Sequence, residues 1–187
     1  NITLDKDYVV NLSSPISIIF DGNLNGNGHT ITIKGGIGAS KKNLGLFQTI
    51  SGATIENLNI VIDGTLTGEE YLGGLAGHIQ NSTIRNVTVQ GNLSGTYYVG
   101  GIAGSVKDSK LENVTFDGNL NQILGNTVSF AYTGGIAGYI ENTTIKKANN
   151  NGNITSEGFD VGGIVGNAKN SSIFEGTNKG DVTGSTY

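Results

Sequence analysis

Cysteine is absent from the 187-residue chain, so neither a disulfide framework nor a thiolate metal site can hold it together. Methionine is absent too, even at position 1, and the given sequence opens on Asn1 without a basic, apolar stretch; the chain is expected to be a mature or excised segment. A single arginine, Arg85, and a net charge of −4 argue against a surface that neutralises a nucleic-acid backbone, which needs many Lys and Arg contacts. No apolar run approaches the roughly 20 residues of a membrane-crossing helix, so no transmembrane segment is expected. Proline occurs once against 31 glycines, yet the glycines follow no three-residue period, which excludes a collagen-like helix.

The glycines instead come in a phrase. Gly45-Leu46-Phe47 is followed by GGLAG at Gly73, GGIAG at Gly100, GGIAG at Gly134 and GGIVG at Gly162. Two further sets keep step with it: Ile55, Ile84, Leu111, Ile145 and Ile173, and the glycines Gly64, Gly91, Gly118, Gly152 and Gly180. Spacings of 29, 27, 34 and 28 in the apolar set divide the chain into five repeats, 45–72, 73–99, 100–133, 134–161 and 162–187. Residues 1–44 read as opening coils with a partial cap, continuous with the repeats in one solenoid domain.

Within a repeat, apolar residues alternate over short stretches bounded by Gly, Asn and Ser, as in Ile84-Arg85-Asn86-Val87-Thr88-Val89. Three strands per repeat are predicted: one in the glycine phrase, one around the Ile84-type anchor, and one such as Leu93 to Val99. The fold class is therefore all-β, a three-sided parallel β-solenoid with about 27 to 34 residues per coil. Such a coil needs small residues where its backbone turns inward, which accounts for the paired glycines and for the column Ala76, Ala103, Ala137, with Phe47 in the first repeat. Stacking also sets Asn57, Asn86 and Asn113 above one another as a side-chain amide ladder, broken later by Lys147 and Glu175. In the opening segment, Tyr8 to Leu12, Ile16 to Phe20 and His29 to Ile33 are predicted strands.

This pattern over residues 45 to 187 resembles the GLUG-motif repeat of bacterial secreted and surface proteins, among them large adhesins and the N-terminal regions of immunoglobulin A-specific metallopeptidases. The stretch from Phe20-Asp21-Gly22-Asn23 through Gly28-His29-Thr30-Ile31 also resembles the lead into such arrays. The resemblance implies a right-handed parallel β-helix outside the cell or on the bacterial surface. It does not transfer an activity: the metallopeptidase His-Glu-x-x-His helix has no counterpart here, the only histidines being His29 and His78.

No cofactor and no metal centre is expected. His78 shares its offset with Ser105, Tyr139 and Asn167 and reads as a surface side chain. Calcium held by Asp5, Asp7 or Asp21 would lack a spaced Asp ladder. A polysaccharide-cleaving β-helix would stack carboxylates, but Gln90 is expected between Asp63 and Asp117, whose turn-forming role is favoured. Glu56, Arg85, Glu112 and Lys146 alternate in sign along another column, as cross-strand ion pairs do.

Two features are candidates for contact with a partner. Tyr71, Tyr98 and Tyr132 precede the glycine phrase in three consecutive repeats, and alternation points them outward; they either bind sugars or protein, or stack as a stabilising ladder. The 34-residue repeat carries an apolar insertion between Asn119 and Thr133. There Ile123, Leu124, Val128 and Phe130 either make contacts or lie flat over the rod. The expected function is a non-enzymatic extracellular bacterial β-solenoid, structural or adhesive. It would serve as a stalk or display segment, or, with no cap after the last repeat, as a subunit stacking end to end into a filament. Its partner would be a protein, including itself, or a host glycan. The alternative is a polysaccharide-binding or polysaccharide-degrading β-helix.

Overall fold

The computed structural model describes residues 1–11, 19–34, 42–125 and 130–185. Among them there is no helix, and every strand pairing is parallel. The chain winds through about six turns, about 28 residues apart, and lays down three sheets of 13, 6 and 5 strands. Strands such as Thr83–Gly95 and Lys110–Asp117 build the first sheet, Ala76–Gln80 and Ala103–Lys107 the second, Tyr71–Gly73 and Tyr98–Gly100 the third. Ile55, Ile84, Leu111, Ile145 and Ile173 are register partners, as their spacing predicts, and the first four are buried to 1% exposure or less. The small-residue column also holds: Phe47, Ala76, Ala103, Ala137 and Val165 pair in sequence. Of the opening segment, Tyr8–Asn11, Ile19–Phe20 and Thr30–Lys34 are strands, while Leu12 and Ile16 lie outside the described residues.

Three details differ from the sequence reading. The glycine phrase is a corner, not a strand: Tyr71–Gly73 ends one strand, Ala76–Gln80 begins the next, and Gly74-Leu75 turns between two sheets. Leu93 to Val99 is likewise divided, Leu93–Gly95 belonging to the first sheet and Val99 to the third. Gly64 stands outside its glycine column. Gln90 pairs with Val61 and Asn92 with Thr65, so a bulge absorbs two extra residues in the strand Thr54–Thr67. Asp63 consequently pairs with Lys34, 3.8 Å from its Nζ, and leaves the Gln90–Asp117 column.

Steric room explains the corner. A Cβ on Gly74 would strike Val89, one on Gly101 Phe116, one on Gly135 Asn150 and one on Gly163 the Asn178 side chain, at 2.6 Å in the last case. Val89, Phe116, Asn150 and Asn178 are successive partners in the first sheet. The corner is thus driven into the coil until its backbone rests on the inner face of the opposite sheet. Only a residue without Cβ permits that approach.

The amide ladder is present. Asn113 Nδ2 donates to Asn86 Oδ1 at 2.9 Å, Asn86 Nδ2 to Asn57 Oδ1 at 2.9 Å, and Asn57 Nδ2 to Asn25 Oδ1 at 3.2 Å. These residues turn the backbone through left-handed space, with φ of 55°, 52° and 52° at Asn57, Asn86 and Asn113, a region asparagine tolerates better than most residues. Lys147 holds the same conformation at φ 55° without an amide to extend the ladder. Lys147→Asn should therefore raise stability by about 0.5–1 kcal/mol, or roughly 2 °C in melting temperature. Calorimetry showing no gain or a loss would contradict this account of the ladder.

Candidate functional site

The corner positions the aromatic residues. Tyr71 and His78 stand on the strands either side of it, half-exposed, while Leu72 and Ile79 beside them are buried. Their rings nevertheless touch, with centroids 3.9 Å apart. Two outward side chains from adjoining walls can meet only if the corner is concave toward solvent. Successive coils place a pair across this corner: Asn43 and Thr49, Tyr71 and His78, Tyr98 and Ser105, Tyr132 and Tyr139, Asp160 and Asn167.

The three tyrosines named from sequence come together as expected. Tyr71 and Tyr98 stack face to face at 4.5 Å and 12°, and Tyr132 meets Tyr98 edge-on at 5.2 Å. Sequence reasoning missed two members. His78, read as a surface side chain, packs on Tyr71, and Tyr139 lies 6.0 Å from Tyr132 and 6.3 Å from Tyr98. Their shared offset from the glycine phrase was visible, but the concavity that brings them to the tyrosines was not. Tyr98 contacts three rings, as the stacking reading expects, whereas Tyr132 and Tyr139 form the strip's other end.

Burial disfavours the charged forms of Tyr71, His78, Tyr98 and Tyr132. It pushes the Tyr71, Tyr98 and Tyr132 phenols above their ordinary pKa and holds the His78 imidazole below its own, with Glu70 pulling His78 weakly the other way. The unfolded chain takes up the His78 proton near pH 6.5, the folded chain only at lower pH. Stability should therefore be complete above about pH 6.5 and fall as pH drops through the folded value. Between pH 7 and 5 the melting temperature of the wild type should fall more than that of His78→Gln; equal slopes would refute the burial argument.

The insertion is a separate surface. Nine residues, 123–131, pass from Gln122 to Tyr132, where the next coil needs three. Ile123 and Phe130 are exposed at 49% and 63%, Leu124 is half-buried, and Val128 lies outside the described residues. A buried polar knot anchors its base: Ser156 Oγ donates to Gln122 Oε1 at 2.7 Å and lies 3.1 Å from Thr133 Oγ1.

Elsewhere, several polar side chains bond from coil to coil. A groove of about 530 Å³ runs past Asn81, Asp108 and Asn142, but the hydroxyls at its base are engaged. Ser82 Oγ accepts from Ala53 N at 3.0 Å and donates to Gln80 O at 2.6 Å, and Ser109 Oγ accepts from Ser82 N at 3.0 Å. Of the alternating charge column, Arg85 Nε meets Glu56 Oε2 at 2.7 Å. Among the described residues no three His, Asp or Glu side chains gather as metal ligands, and no helix is long and apolar enough to cross a membrane.

Stacked parallel coils, each bent inward at a glycine corner, define a parallel β-solenoid. Within it, residues 68–94 match the family model described as the GLUG motif, in agreement with the resemblance seen in the sequence. The matched stretch contains Tyr71, the GGLAG corner, His78 and Asn86, whose partners recur in register in neighbouring coils. No curated protein matches the chain.

Proposed function

We propose that this chain is a non-enzymatic structural and adhesive β-solenoid of a bacterial surface, displaying the aromatic corner to a glycan or protein partner. The observation that carries it is the half-exposed ring strip held across consecutive coils in a concave corner, an arrangement that offers amphipathic contact area at small entropic cost. The extracellular setting rests on the GLUG match. A binding and not a cleaving role is supported by the register: Asp63 pairs with Lys34, away from Asp117, so the two carboxylates do not share a column.

The reading predicts a division of labour. On an immobilised array of glycans and host surface proteins, Tyr132→Ala should weaken binding about tenfold with a nearly unchanged melting temperature, whereas Tyr98→Ala should also destabilise the coil by about 1–3 kcal/mol. Wild-type binding that survives both substitutions would remove the corner from the contact surface.

A further inference from the structure

The aromatic strip ends in a polar pair. One coil beyond Tyr132 and Tyr139 their register partners are Asp160 and Asn167, both half-buried, and Asn167 Nδ2 donates to Asp160 Oδ2 at 2.7 Å across the same corner. We propose that Tyr132, Tyr139, Asp160 and Asn167 form a subsite for a neutral pyranose unit, which deepens the adhesive reading above and rests on it.

The chemistry fits a sugar in three respects. The bond between the two side chains fixes the carboxylate while leaving its Oδ1, the amide oxygen and the second amide N–H for a ligand. Vicinal sugar hydroxyls, each donor and acceptor, match such a set. Beside it, the Tyr132 and Tyr139 rings supply apolar surface for the C–H face of a pyranose, and the raised Tyr132 phenol stays protonated as a further donor.

Charge narrows the class. Among the described residues no cation lies within ion-pair reach of Asp160, and Lys169, which follows Asn167 by two positions on the same strand, is held by Glu141 at 2.8 Å. An uncompensated carboxylate repels uronates, sialates and sulfated sugars, and its hydrogen bonds to neutral hydroxyls are of the stronger, charge-assisted kind.

The test titrates the intact chain with tetra- to hexasaccharides of glucose, mannose, galactose and N-acetylglucosamine, and with oligogalacturonate. With no tryptophan in the sequence and four of its seven tyrosines in the corner, tyrosine fluorescence follows binding, and the Tyr139 variants tie the signal to the corner. At least one neutral series should saturate and oligogalacturonate should not. Asp160→Asn, which keeps the shape of the pair, should weaken the neutral ligand about ten- to a hundredfold. Tyr139→Ala should weaken it about tenfold and Tyr139→Phe much less. Neutral binding unaffected by Asp160→Asn and Tyr139→Ala, or tighter binding of oligogalacturonate, overturns the subsite. If every sugar is silent while host proteins still bind through Tyr132, the subsite falls and the adhesive reading stands; if nothing binds, both fall.

Discussion

Phe116→Ala is expected to be the most damaging single truncation, costing about 3–5 kcal/mol. Phe116 is fully exposed to no solvent at all, at 0%, and leads the buried side chains in volume among the described residues. Its ring fills the space between the first sheet and the corner at Gly101, where even one added carbon would collide with it. Glycine cannot move in to fill the void, because the corner is already fixed by pairing with the coils on both sides: Gly100 pairs with Gly73 and Gly134. The cavity therefore persists, and the cost should approach the upper part of that range. A drop of roughly 10 °C or more in melting temperature is expected. Since each coil contacts only its neighbours, amide exchange should quicken first in the coils around residues 87–150. A loss under about 1 kcal/mol would show that the corner can collapse, and would refute its tight seating on the sheet.

The second large effect concerns the corner itself. Gly74→Ala places a methyl group against Val89, while the nearest backbone atom, Gly101 O, stands at 3.0 Å. Overpacking of this kind costs about 1–3 kcal/mol. Because the main obstacle is a side chain, Val89→Ala should relieve it: the double variant should be more stable than the sum of the single effects by about 1 kcal/mol or more. Gly73→Ala behaves differently. Its added carbon meets the Ala103 Cα, Ala76 O at 2.5 Å and Ile102 O at 2.5 Å, all backbone, so no side-chain deletion should rescue it. Denaturant titrations of the four-member cycle check the first claim, and strict additivity for Gly74 and Val89 would contradict it.

These cases show what was legible in the chain. The period, the buried Ile84-type column and the Asn57–Asn86–Asn113 ladder follow from spacing alone, since parallel stacking repeats one environment per coil. The inward turn at the paired glycines was also legible, but a strand was assigned to the same phrase; the structure bends at Gly74-Leu75 between two strands, with Gly74 seated on Val89. The bulge near Gly64 went unread, although Ile55 to Ile84 spans 29 residues and Gly64 to Gly91 only 27, a mismatch equal to the two residues that the bulge absorbs.

Polar residues in the interior were harder still. Asn150 follows Phe116 in an inward column, where alternation calls for an apolar side chain. It is stable there because its Nδ2 donates to Gly152 O at 2.9 Å and Asn178 Oδ1 at 2.7 Å, and its Oδ1 accepts from Gly152 N at 3.0 Å. Of the contact candidates, Tyr71, Tyr98 and Tyr132 were readable as a column. Tyr139, His78 and the Asp160–Asn167 pair required the angle between two sheets, which no single-strand pattern contains.

The claim that the concave aromatic corner is the contact surface is tested most directly by comparing two double variants in adhesion of the purified chain to host cells or immobilised glycans. Tyr132→Ala with Tyr139→Ala should reduce binding at least about tenfold. Ile123→Ser with Phe130→Ser, which alters the exposed insertion instead, should leave it within about twofold, with both proteins still folded by melting. Binding lost on changing the insertion and retained on changing the corner would contradict the account.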